Sequence, residues 1–155
     1  MVIRKNSTNE LARMLGEFLC RRCHLIDDLS WYEPLTWLRN VDHFFYLVRW
    51  HEQHFLGRGS IVFIYMLCRD TISPEIASKE ELKAVLLTCF YVSCAYVGRE
   101  TSYPARPFMV EGDGMAFWDR TLAITRRLSG QMLRLNNSPQ FFAKVFADLK
   151  NRKDH

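Results

Sequence analysis

The chain has 155 residues, 48% of them apolar and 25% charged, a balance that excludes disorder. That length suffices for one domain burying roughly 70% of the unfolded surface. The net charge of +4 arises from 21 basic and 17 acidic side chains. Its clusters, Arg21-Arg22, Arg126-Arg127 and Lys150 to Lys153, are short and scattered, which argues against nucleic-acid binding.

Five cysteines make an odd count, and Cys20, Cys68, Cys89 and Cys94 sit in apolar helix patterns. The expectation is an intracellular protein with reduced thiols and no disulfide framework. No signal peptide opens the chain, and the longest apolar run, near Ala84 to Val97, is too short and interrupted to span a membrane. Val2 after Met1 excludes N-myristoylation of this amino terminus. A cytoplasmic location is expected, with nuclear or membrane association left to the amino-terminal region of a longer protein. Eleven Phe, six Tyr and four Trp predict an aromatic-rich core, with some rings left for a partner.

Helix signals recur along the chain. Ser7-Thr8-Asn9-Glu10 fits a capping box, and Leu11, Met14, Leu15, Phe18 and Leu19 follow at helical spacing. A second helix starts near Glu33-Pro34 and carries Leu35, Leu38, Val41, Phe45 and Val48 on one stripe, with Gly57 closing the segment. Residues 60–72 read as a third, strongly apolar helix broken by Ser73-Pro74. Ser78 with Glu81 opens a fourth, whose Leu82, Val85, Leu86, Cys89, Phe90, Val92, Tyr96 and Val97 leave almost no polar face. That pattern predicts a central helix buried on most sides.

Gly98 stops it, and Arg99 to Phe108 follow as a charged loop stiffened by Pro104 and Pro107. Such a loop on a core helix suits docking better than catalysis. Beyond it, Phe117, Trp118, Leu122, Leu128, Met132 and Leu135 predict a long helix ending at Asn136-Asn137. Ser138-Pro139 starts the last one, with Phe141, Phe142, Val145, Phe146 and Leu149 on a single face and Asp148 and Lys150 on the polar one. The class is therefore all-α, with six helices, short connections and no internal repeat.

Candidate chemistries fall short. Cys20-Arg21-Arg22-Cys23-His24 supplies half of a zinc site, and no second half stands at the right spacing. His51 and His54 are three residues apart, where a metalloprotease helix needs four; an exposed polar helix end is the simpler reading. No nucleophile elbow occurs, and Glu111-Gly112-Asp113-Gly114 is too acidic to cradle phosphate and reads as a turn. Trp118-Asp119-Arg120 reads as a core tryptophan beside a local ion pair. No metal, cofactor or catalytic activity is expected.

Several segments nevertheless resemble one family in register. Gly16-Glu17-Phe18-Leu19-Cys20-Arg21-Arg22-Cys23, Trp37-Leu38-Arg39-Asn40-Val41-Asp42 and Leu86-Leu87-Thr88-Cys89 are similar to the activators of cyclin-dependent kinase 5. So are Ser102-Tyr103-Pro104, Arg106-Pro107-Phe108, Phe117-Trp118-Asp119-Arg120 and residues 145–151. The resemblance implies a single cyclin-like domain over 1–155, with an N-terminal helix within 7–26 and a cyclin-box core over 33–151, five helices around a central one.

It also implies a noncatalytic subunit forming a heterodimer with cyclin-dependent kinase 5, a proline-directed Ser/Thr kinase. Such a subunit orders the kinase's αC helix and activation loop without loop phosphorylation. By position, Val97, Gly98, Arg99, Glu100 and Thr101 meet the activation loop. Glu100 lies near a basic residue of the bound peptide substrate and favours sites with Lys or Arg downstream. Asp119 belongs to the same interface, Leu11 adds an apolar contact through the N-terminal helix, and Asp148 matches another position implicated in activation. The chain departs from the family pattern at Arg99, at Ala105 in place of leucine, and at Arg126 in place of an asparagine that would bond the partner loop. The alternative is a cyclin-box module of the transcription-factor type contacting nucleic acid or polymerase. It needs a continuous basic face, which the mixed charges of the last two helices do not offer.

Overall fold

The computed structural model describes residues 7–49, 53–97 and 104–151, and every regular element among them is helical. Helix α1 spans Thr8–Arg22, α2 Tyr32–Leu47, α3 Arg58–Thr71, α4 Lys79–Val97, α5 Gly114–Asn137 and α6 Pro139–Asn151, with a 3₁₀ turn at Arg106–Phe108.

Helix α1 begins where expected. Ser7 Oγ accepts from the Glu10 amide at 3.1 Å, and the Glu10 carboxylate accepts from the Ser7 amide at 2.9 Å. Two of the helix's orphan donors are thereby satisfied. Gly16 is required inside this helix, because a Cβ there would run into the carbonyl oxygen of Trp31. The absence of a side chain is what lets α1 lie against the segment entering α2.

Helix α2 ends earlier than the sequence suggests. It stops at Leu47, and Arg49 takes a left-handed φ of 62°. Gly57 closes nothing; it is the N-cap of α3, where its amide donates to Ser60 Oγ at 2.8 Å. Glycine reads alike at either helix end, so the pattern could not separate the two roles.

The core is also centred differently. In α3 all eight residues from Ile61 to Cys68 are buried, and the helix packs against α1, α4, α5 and α6. The expected central helix, α4, packs against α2, α3 and α5 but turns Ala95, Tyr96 and Val97 outward. Burial thus runs round α3 and ends one turn short of the α4 terminus. The buried side chains form one continuous cluster.

Aromatic side chains lock the return from the loop. Phe108, fully buried, meets Phe45, Phe90 and Tyr91 with ring centroids 5.3 to 5.5 Å apart. Asp113 caps α5 through the Met115 amide at 3.0 Å, and Ser138 caps α6 through Phe141 at 3.1 Å. The five cysteines are unpaired, and burial pushes the Cys23 thiol up to about 11. No helix among the described residues is long and apolar enough to cross a membrane.

Candidate functional site

Helices α4 and α5 run antiparallel. Tyr91 meets Phe117 and Trp118 at 5.2 and 5.6 Å, while Thr88, nearer the start of α4, accepts from Arg120 Nε at 3.0 Å. The outward last turn of α4, with Val97, therefore lies toward the beginning of α5. Gly98, Arg99, Glu100 and Thr101, expected to form the docking loop, lie outside the described residues.

Helix α5 buries Phe117, Ile124, Leu128, Met132 and Leu135. On the opposite side, Met115, Asp119, Leu122, Arg126 and Leu133 recur at helical spacing and are exposed. This stripe runs about 27 Å at 1.5 Å per residue. Leu122 is 51% exposed, and beside it Trp118 is 43% exposed even while its ring meets Tyr91 and Phe117. The reading of Trp118 as a core residue is corrected: its ring packs on Tyr91 and Phe117 while the residue stays exposed.

The charges of α5 separate into two groups. Arg120 does not pair with Asp119, contrary to the local ion pair expected. Its guanidinium makes two bonds to Glu111, at 2.7 and 2.9 Å. Arg127 donates to the Asp70 carbonyl at 2.6 Å, and Arg134 lies over the Phe141 ring at 4.2 Å. Asp119 and Arg126 have no hydrogen bond or ion pair among the described residues. The two unspent charges of α5 thus share a face with its unspent apolar side chains. Bulky apolar groups beside unpaired charges of both signs are the makings of a protein-binding surface.

Two other expected residues lie elsewhere. Leu11 is fully buried in the core, so a direct contact with a partner is corrected to a part in seating α1. Asp148 accepts from the Tyr65 hydroxyl at 2.5 Å and from Arg69 at 3.1 Å, tying α6 to α3. Its position on the polar face of α6 therefore conceals a structural anchor.

The metal readings find no geometry. Cys20 donates to the Leu29 carbonyl at 3.4 Å, Cys23 is buried, and no group of three or more metal-binding side chains converges among the described residues. His54 is not a helix end. It precedes α3, stacks on Tyr46 at 4.5 Å, and places Nδ1 3.3 Å from Asp42. His51 lies outside the described residues. Asp42, which the sequence reading gave no role of its own, is buried and accepts from the Phe55 and Leu56 amides at 2.7 and 3.2 Å.

The described residues form an all-α, cyclin-box-like domain with an exposed mixed face on its longest helix. The whole chain, residues 1–155, matches the sequence model of the family described as cyclin-dependent kinase 5 activator protein. Cyclin-dependent kinase 5 activator 1 of Homo sapiens is 52% identical over 150 residues, covering 97% of this chain and 49% of the relative. Activator 2 of Homo sapiens is 49% identical over 151 residues, covering 97% and 41%. Activator 1 of Caenorhabditis elegans is 43% identical over 151 residues, covering 94% and 41%. The chain belongs to the cyclin-dependent kinase 5 activator family, and it spans about half the length of these relatives or less.

Proposed function

We propose that this chain is a noncatalytic regulatory subunit that binds cyclin-dependent kinase 5 and switches it on. The observation that carries this reading is the outward face of α5, where Asp119 and Arg126 have no partner among the described residues and stand with Met115, Leu122 and Leu133. Membership of the cyclin-dependent kinase 5 activator family supports the kinase as the partner.

The subunit acts by differential binding. Contacts that exist only when the kinase's αC helix and activation loop are correctly placed shift its population toward the active state, with no loop phosphorylation needed. The end of α4 at Val97, the following residues Gly98, Arg99, Glu100 and Thr101, and Asp119 on α5 meet the activation loop together. Glu100 faces the bound peptide and favours Ser-Pro or Thr-Pro sites with a downstream base. Asp148 acts at one remove, by holding α6 in place.

Mixing the chain with unphosphorylated cyclin-dependent kinase 5 and a Ser-Pro-x-Lys peptide tests this directly. Strong phosphorylation is expected, and Glu100→Ala should lose the preference for lysine over alanine at that position. A folded chain that leaves the kinase at its basal rate would overturn the reading.

A further inference from the structure

A cleft of about 460 Å³ opens between the start of α1, helix α2 and the segment entering α3, with no residue of α5 in its lining. Its floor is apolar, built from Ala12, Leu15, Leu35, Leu38, Leu56 and Ile61. The size lies within the range of about 300–1,000 Å³ typical of small-molecule sites.

Its rim has an unusual charge balance. Among the described residues the Arg39 guanidinium meets no carboxylate; its bond is to the neutral Asn9 amide oxygen at 3.2 Å. Beside it the imidazoles of His43 and His54 stack at 5.7 Å, inclined by 16°. Asp42 is the one carboxylate of the lining among the described residues, and it is 4% exposed, with its oxygens turned to the Phe55 and Leu56 amides and to His54 Nδ1. Among the described residues, therefore, the negative charge of the lining is consumed inside the protein, and Arg39 stands at the rim with the two imidazoles and neutral polar side chains.

We propose that this cleft binds a medium-chain fatty carboxylate, the alkyl chain on the leucine floor and the carboxylate at Arg39. A charged donor and a carboxylate form a stronger bond than two neutral groups, so the rim fixes the ligand's direction. The floor supplies affinity in proportion to the methylenes it covers. An alkylammonium of the same length meets the wrong charge at the rim.

Calorimetric titration of the whole chain tests this, using octanoate, decanoate, decan-1-ol, decyltrimethylammonium and acetyl-trileucine free acid, all below micellar concentrations. Decanoate should bind at one saturable site, roughly 16-fold tighter than octanoate, as expected for two methylenes at roughly fourfold each. Arg39→Glu, an exposed change, should weaken decanoate at least tenfold while leaving the ligand-free Tm unchanged. Ala12→Leu should weaken both acids by narrowing the floor. Absence of decanoate binding, decan-1-ol binding as tightly, or indifference to Arg39→Glu would each overturn the proposal. Tighter binding of the trileucine acid would overturn it too, in favour of a peptide terminus.

Discussion

Arg120 clasps Glu111 with both terminal nitrogens while its Nε bonds the Thr88 hydroxyl, so one guanidinium pins the segment before α5 onto α4. The Thr88 hydroxyl in turn donates to the Ala84 carbonyl at 2.7 Å, leaving no buried polar group of this set unpaired. Because Arg120 is committed inward, its neighbour Asp119 is left to solvent or to a partner.

That clasp gives stability a pH dependence. Hydrogen bonding from Arg120 holds the Glu111 carboxyl below its ordinary 4.5, and bonding from Lys79 does the same for Glu33. A folded-state value below the unfolded one means stability present above about pH 4.5 and lost as pH falls through the lowered values. Tm should therefore drop on acidification below that point, and Glu111→Gln should flatten the drop. At neutral pH the same variant should cost about 1–2 kcal/mol, because the pair is half-exposed and screened. A Tm profile identical to the parent's from pH 6 to 3 would contradict the assignment.

Asp148 and Asp119 should separate cleanly when activity and stability are read together. Asp148→Ala removes the acceptor that the Tyr65 hydroxyl and Arg69 share, and is expected to lower stability by about 2–4 kcal/mol in urea denaturation. Any loss of kinase activation in that variant should be recovered by working well below its melting temperature. Asp119→Ala should leave stability within about 0.5 kcal/mol and lose activation at every temperature.

Arg126 tests the charge pattern of the proposed docking face. Arg126→Glu should weaken kinase binding about tenfold, mostly through the association rate, with the deficit shrinking at high salt. Leu122→Ala should weaken binding without that salt dependence. Equal salt dependence of the two variants, measured by surface plasmon resonance, would show that Arg126 faces no charge on the partner.

Gly16→Ala is a test of the fold alone. Alanine normally favours a helix, yet here its methyl meets the Trp31 carbonyl, so the chain should lose about 1–3 kcal/mol in chemical denaturation. A stabilised variant would mean that α1 and the α2 entrance do not approach as closely as described.

Helix by helix, local chemistry was legible in the sequence. Ser7 with Glu10 and Ser138 before Pro139 act within one turn, so their caps are readable from spacing, whereas Asp113, read only as part of a turn, caps α5 as well. The all-α class followed from the apolar periodicity, and the family from motifs standing in register along the whole chain. Periodicity reports which residues share a face, without saying what covers that face. Trp118 and Leu122 looked like core, whereas they stand outside because no helix among the described residues packs over that side of α5. Leu11 looked available to a partner and is sealed beneath its own fold. Arg120 chose Glu111 over adjacent Asp119 because side chains on successive helical positions point apart, while the folded-back segment brings a distant carboxylate into line. Sequence therefore determined the helices, the starts that carry a local cap and the family; tertiary packing decided which charges and rings are spent inside and which stay outside, since burial and pairing depend on neighbours distant in the chain.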